Sequence, residues 1–287
     1  MNAVHLQQLK SDITNTSWTK VASVYRAVAG EKRMTKLGSR QLEQQAHAKG
    51  WSLEGRVALV TGAVGGLGKS IVAELRERGA DVHGVDIAGE GVFHADLATA
   101  AGNRDMIAHV LGKAGRLDIL VLNAGCQHVA PLDQFPDEEW IRLRAVMLDG
   151  PFFALKAAWP ALTKSAGGRV VVTASTASFG GAPHKVAYIA AKHGVLGLVR
   201  VAALEGAAQG LTVNAIAPGW MDTGMMRGQL EAQAQTLNMS TDEVIARFHA
   251  ETPGGRFVDV SEVAATVGFL VSPCASGVNG ACVSISG

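Results

Sequence analysis

From Arg56 onward, short apolar runs alternate with longer stretches of helical apolar spacing. The first run, Arg56–Thr61, lies between Gly55 and Gly62, and similar runs follow at Asp81–Asp86, Asp118–Asn123, Arg169–Thr173 and Leu211–Ile216. Each is short and rich in Val, Leu or Ile, which predicts strands buried on both faces. Lys69–Arg76 places its apolar residues at helical spacing, and comparable stretches separate the later runs. Alternating strands and helices predict an α/β fold, a doubly wound parallel sheet covered on both faces. Residues 222–250, rich in Met, Gln and Ala, lie between Thr223 and the Thr252-Pro253 turn and predict short helices that form a small lid over a substrate pocket.

Composition changes this picture mainly at the amino end. With 287 residues, 48% hydrophobic and 18% charged, the chain can bury a full core as a single domain, assigned to 51–287. Residues 1–50 differ, with eight Lys and Arg against three acids, leaving 18 basic and 22 acidic residues downstream. They read as a basic, weakly ordered N-terminal extension, with an organelle transit peptide as the alternative. The basic residues are spread out and not clustered with aromatics, so nucleic acid is not an expected partner. No uninterrupted apolar run approaches the roughly 20 residues of a membrane span. Cys126, Cys274 and Cys282 have neither disulfide-framework nor metal-ligand spacing, so no metal is expected. A soluble, cytoplasmic protein with a small-molecule substrate is the expectation.

The chemistry begins at the end of the first run. Gly62, Gly66 and Gly68 stand between a predicted strand and a predicted helix, with Leu67 inside the turn. Glycines admit a pyrophosphate close to the backbone, and the helix start offers unpaired N–H groups. Asp86 ends the second run, 24 residues after Gly62, where a carboxylate accepts bonds from ribose hydroxyls and repels a 2′-phosphate. No base accompanies it in the turn, so the expected cofactor is NAD. Further along, Tyr188 and Lys192 are spaced i, i+4 among good helix formers, which puts them on one helix face. An ammonium within a few ångströms favours the phenolate and would make Tyr188 a usable acid or base.

Thr61-Gly62-x-x-x-Gly66-x-Gly68, Asp96-Leu97, Asn123-Ala124-Gly125, Ser175, Tyr188-x-x-x-Lys192 and Pro218-Gly219 occur in that order. From about residue 52 to the end the chain resembles the classical short-chain dehydrogenase/reductases. The resemblance implies a seven-stranded Rossmann sheet, with Asp96 and Leu97 near the adenine, Asn123, Gly125 and Pro218 at the cofactor, and Thr223 near the nicotinamide. It makes Ser175, Tyr188 and Lys192 the catalytic residues: Tyr188 exchanges the proton, Ser175 bonds the substrate oxygen, and Lys192 holds the nicotinamide ribose. One departure is Met147, which stands where the family usually has an asparagine that supports a water-linked proton relay. A thioether donates no hydrogen bond, so another group or the backbone holds that water, or the relay is impaired.

Within the family, the segments His184–Gly194 and Pro218–Trp220 look most like D-3-hydroxybutyrate dehydrogenases. That likeness implies substrate contacts from Gln127, Ser175, Lys185, Trp220 and Gln229, with Lys185 and the amides receiving a carboxylate. The histidine expected two residues after the serine is Ala177. The leading expectation is therefore an NAD-dependent dehydrogenase of a small 3-hydroxy acid. A dehydrogenase of a sugar or cyclic alcohol, or a dinucleotide sensor with impaired turnover, are the alternatives. As in relatives, a homodimer or homotetramer is expected, built on the helices of Trp140–Lys164 and Ala187–Gln209.

Overall fold

The computed structural model describes residues 50–287, so the readings of the basic extension lie, but for Gly50, outside the described residues. The strands are β1 (Val57–Thr61), β2 (Asp81–Asp86), β3 (Phe93–His94), β4 (Ile119–Leu122), β5 (Arg169–Thr173), β6 (Thr212–Pro218) and β7 (Cys282–Ile285). They form one sheet in the order β3-β2-β1-β4-β5-β6-β7, and every pairing is parallel. The order reverses beside β1, so the connections that leave the paired strands β1 and β4 turn to opposite faces of the sheet and leave a crevice at the carboxyl ends. This is the predicted fold class, with the short edge strands β3 and β7 added to the runs read from the sequence.

Period-two alternation assigns each strand residue to one of two cores. Leu59, Leu120, Val170 and Val172 face a cluster with Met106 and Val110 of α2 (Ala100–Ala114), Leu155 and Leu162 of α4 (Gly150–Lys164), and Val195 and Val199 of α5 (Val186–Gly206). Ala58, Val60, Val121 and Val171 face the other, with Ile71 and Leu75 of α1 (Gly66–Glu77) and Val263 and Val267 of α9 (Val260–Val271). Both faces being covered explains why the strands read as apolar runs and not as alternating ones. By length and apolar composition alone, Val186–Gln209 is long enough to cross a membrane. Lys192, Arg200 and Glu205 interrupt its apolar character, and its inner face is core.

Two local features shape the crevice. Between α3 (Asp137–Arg144) and α4, residues Ala145–Asp149 form a turn of π-helix, so the predicted helix from Trp140 is continuous in course but locally widened. The lid predicted at 222–250 is α6 (Gly224–Arg227), α7 (Leu230–Leu237) and α8 (Thr241–Glu251), packed about Met226, Ala234, Val244 and Phe248. Ser240 and Glu243 form a reciprocal capping box that starts α8, and Asn238 in the left-handed conformation ends α7.

Candidate active site

All the candidate residues line one cavity of ≈ 900 Å³ at the carboxyl ends of the strands. At its floor the backbone approaches itself closely. Gly62 has φ +67, and a Cβ on Gly68 would run into the Gly62 carbonyl. No side chain caps α1 at Gly65, so the first-turn N–H groups of α1 remain available to an anion beside Gly66, Leu67 and Gly68. Thr223 caps α6 and rests over Gly66, its Cγ2 3.4 Å from where a Cβ would stand. Asn123 acts as a strut: its amide donates to Thr61 O at 3.1 Å and its Oδ1 accepts from the Thr173 hydroxyl.

Asp86 is anchored by the Val64 N–H at 3.1 Å and the Ile87 N–H at 2.8 Å, one to each carboxylate oxygen. Those bonds orient the carboxylate and leave lone pairs free for further donors. Asp96 accepts the Ala98 N–H, and the Leu97 carbonyl accepts from Asn103. Pro218 ends β6 on the opposite side, and the next amide, Gly219, donates to Ile285 O at 2.9 Å. A glycine floor, an uncapped helix start and a fixed acid fit a dinucleotide.

The reaction centre sits on α5. Lys192 is 4% exposed, and its Nζ donates to Thr173 O at 2.5 Å while standing 5.7 Å from the Tyr188 ring centroid. Burial brings its pKa down from 10.5 to about 8. The sequence suggested that Lys192 lowers the phenol pKa. The structure corrects this for the protein alone: burial pushes Tyr188 up, and the opposing influence is the Ser175 hydroxyl beside it. Ser175 is set by its own turn, accepting from Ala177 N while its amide donates to Ser178 Oγ, both at 3.2 Å. Met147 is 1% exposed, packed with Leu143, Ala187 and Ala191, and its Sδ lies against Gly125. It fills the site with apolar volume, and its backbone belongs to the π-turn.

Toward the lid, Lys185 is 8% exposed, with its Nζ 4.3 Å from the Trp220 ring centroid and 5.9 Å from that of Phe248. Those rings stack at 3.7 Å and 12°, and the ammonium stands beside the stacked pair, near both rings. Among the described residues no acceptor lies within hydrogen-bonding distance of that Nζ. Gln127 accepts from His128 N, and its amide donates to no acceptor among the described residues, whereas the Gln229 amide donates to Met225 O at 2.7 Å. Gln229 therefore lines the cavity with one of its two amide donors already engaged. Sequence reasoning missed Arg142 and Glu251, which also line the cavity. Only their general positions, on a helix after the third strand and in the lid, were readable.

Residues 62–287 match the family model described as enoyl-(acyl carrier protein) reductase. The D-beta-hydroxybutyrate dehydrogenase of Cupriavidus necator is 37% identical over 252 residues, covering 82% of this chain and 98% of the relative. Among solved structures, NAD+-bound xylitol dehydrogenase is similar at a TM-score of 0.77 and 29% identity, covering 82% of this chain and 98% of its own. An actinorhodin polyketide ketoreductase with NADPH matches at 0.77 and 33%, covering 81% and 96%. The chain belongs to the short-chain dehydrogenase/reductases. It is an oxidoreductase that interconverts a secondary alcohol and a ketone with a nicotinamide dinucleotide.

Burial of Lys185 has a measurable consequence. Its pKa falls from 10.5 to about 8 because burial penalises the charge, with Glu251 opposing the shift. Between those values the unfolded chain holds a proton that the native protein releases, so stability rises with pH across that window. Below about pH 8 the full desolvation cost remains. Lys185→Met should therefore melt above wild type near neutral pH, with the gap closing as pH nears 10.5. Thermal melts across that range test this, and a variant less stable than wild type at neutral pH would contradict it.

Proposed function

We propose that this protein is an NAD-dependent dehydrogenase of a small 3-hydroxy acid. The observation that carries the reading is the Lys185 ammonium, buried against Trp220 and Phe248 with no hydrogen-bond acceptor among the described residues. A buried cation gains most from an anionic partner, and a carboxylate supplied by the substrate fits that need. Gln127 adds free amide donors on the same cavity. Asp86 supports NAD, since a 2′-phosphate beside a fixed carboxylate is repelled.

In this reading Ser175 bonds the substrate oxygen and Tyr188 takes the hydroxyl proton during oxidation, returning it in the reverse direction. A bound oxidised nicotinamide dinucleotide would supply the hydride acceptor beside the carbinol carbon. Lys192, directed by the Thr173 carbonyl, holds the ribose and brings positive charge near the phenol. A neutral polyol is the second reading, favoured by Ala177 in place of the histidine and by the similarity to a xylitol dehydrogenase. We also propose a homodimer or homotetramer, because Trp140, Phe152, Val201 and Leu204 on α3, α4 and α5 are large apolar side chains left exposed, Leu204 at 80%.

These readings lead to four tests. NAD should bind far more tightly than NADP, and Asp86→Ala should narrow the gap; equal affinity of wild type for both would sink the cofactor reading. Against 3-hydroxybutyrate, Lys185→Ala should lose about 10- to 150-fold in kcat/KM, a charge-assisted contact of about 1.5–3 kcal/mol, and lose less against an uncharged secondary alcohol of similar size. The wild-type preference for the acid should decline above about pH 8, as the Lys185 ammonium loses its proton. Equal losses on both substrates would return Lys185 to a supporting role. Light scattering at micromolar concentration should give a dimer or tetramer, shifted toward monomer by Leu204→Glu; a wild-type monomer would overturn the assembly.

A further inference from the structure

Arg142 projects from α3 to the same cavity, and nothing in the proposed reaction uses it. Its Nε and Nη2 donate to the carboxylate of Glu139 at 3.2, 3.1 and 2.5 Å, an arrangement that holds the guanidinium plane in place. Its remaining N–H groups meet no oxygen acceptor among the described residues, only the weakly accepting Cys126 thiol. The guanidinium stands beside the Cys126 thiol, on the wall formed by Leu143, Met147 and Tyr188. Lys185 occupies a different wall, against Trp220 and Phe248.

Lys185 and Lys192 line this end of the cavity without a carboxylate partner among the described residues, whereas Arg142 is held by Glu139 through one edge of its fork and Glu251 pairs with Arg247 at 2.9 Å. Lys192 is directed to the Thr173 carbonyl. A ligand with a single carboxylate on Lys185 would leave the free edge of the Arg142 fork facing the cavity. A planar fork with open N–H groups matches a carboxylate in particular.

We propose that Arg142 is a specificity-determining residue that receives a second carboxylate, so that the substrate is a hydroxy dicarboxylic acid with its carbinol carbon between the two acid groups. This rests on the hydroxy-acid reading of Lys185. The sequence likeness to hydroxybutyrate dehydrogenases concerns the lysine wall, whereas the second anion contact comes from α3.

The test is kcat/KM for 3-hydroxyglutarate and for 3-hydroxybutyrate in wild type, Arg142→Leu, Arg142→Lys and Lys185→Ala. Wild type should prefer the dicarboxylate. In Arg142→Leu the ratio of dicarboxylate to monocarboxylate should fall about 10- to 150-fold, mainly through KM, because the contact forms on binding. Arg142→Lys should keep part of the ratio, since it retains charge without the fork. A role confined to structure would lower both substrates together and leave the ratio unchanged. An unchanged ratio, or a wild-type preference for the monoacid, overturns the Arg142 proposal; if Lys185→Ala still erases the preference for 3-hydroxybutyrate over a neutral alcohol, the hydroxy-acid reading stands. Turnover of neither acid above that of the neutral alcohol overturns both.

Discussion

The contact between Gly68 and the Gly62 carbonyl is the constraint from which the site is built. No side chain fits between them, so α1 begins directly against the end of β1. That closeness leaves the α1 amides facing the crevice and brings Thr223 over Gly66 from the far side of the sheet. Gly62 takes φ +67, a conformation that costs glycine little and a β-branched residue a great deal. Asn123 then ties the residues just beyond β4 to the end of β1 through Thr61, which fixes the mouth of the crevice between them.

Around that floor the protein holds two desolvated lysines by different means. Lys192 is directed by a backbone carbonyl, and Lys185 lies beside a stacked pair of aromatic rings. Burial lowers the proton affinity of each, and the same burial raises that of Tyr188. A low-dielectric pocket strengthens whatever electrostatic partner a ligand then brings. The lid contributes through Phe248, whose ring stacks on Trp220 and, with it, forms the aromatic wall beside which Lys185 stands.

Met147 illustrates how a polar position is replaced without loss of the fold. The thioether is buried among Leu143, Ala187 and Ala191, and its backbone lies in a π-turn between α3 and α4. A π-turn leaves its hydrogen bonds spaced differently from those of an α-helix, and such turns recur at functional sites. A Cβ on Gly150 would press on the Leu97 carbonyl, so the turn also fits α4 against the loop that carries Asp96 and Leu97.

Signals that depend on neighbours in sequence were legible before the fold. The buried strands announced themselves as apolar runs because helices cover both faces, and β2 and β5 have the bounds that their runs suggest. The glycine turn, Asp86 and the Tyr188 and Lys192 pair were readable from their spacing together with the strand, helix and motifs around them, and every candidate residue reached the same cavity. By contrast, β3 and β7 are short, half-exposed edge strands that become strands only by pairing with a neighbour. The direction of the Tyr188 shift was likewise decided by burial, which spacing does not encode. The same holds for the engaged amide of Gln229 and for Arg142, whose turn toward the cavity depends on where α3 packs. Local periodicity determines which elements form, whereas desolvation and the meeting of side chains remote in sequence arise only once those elements are packed.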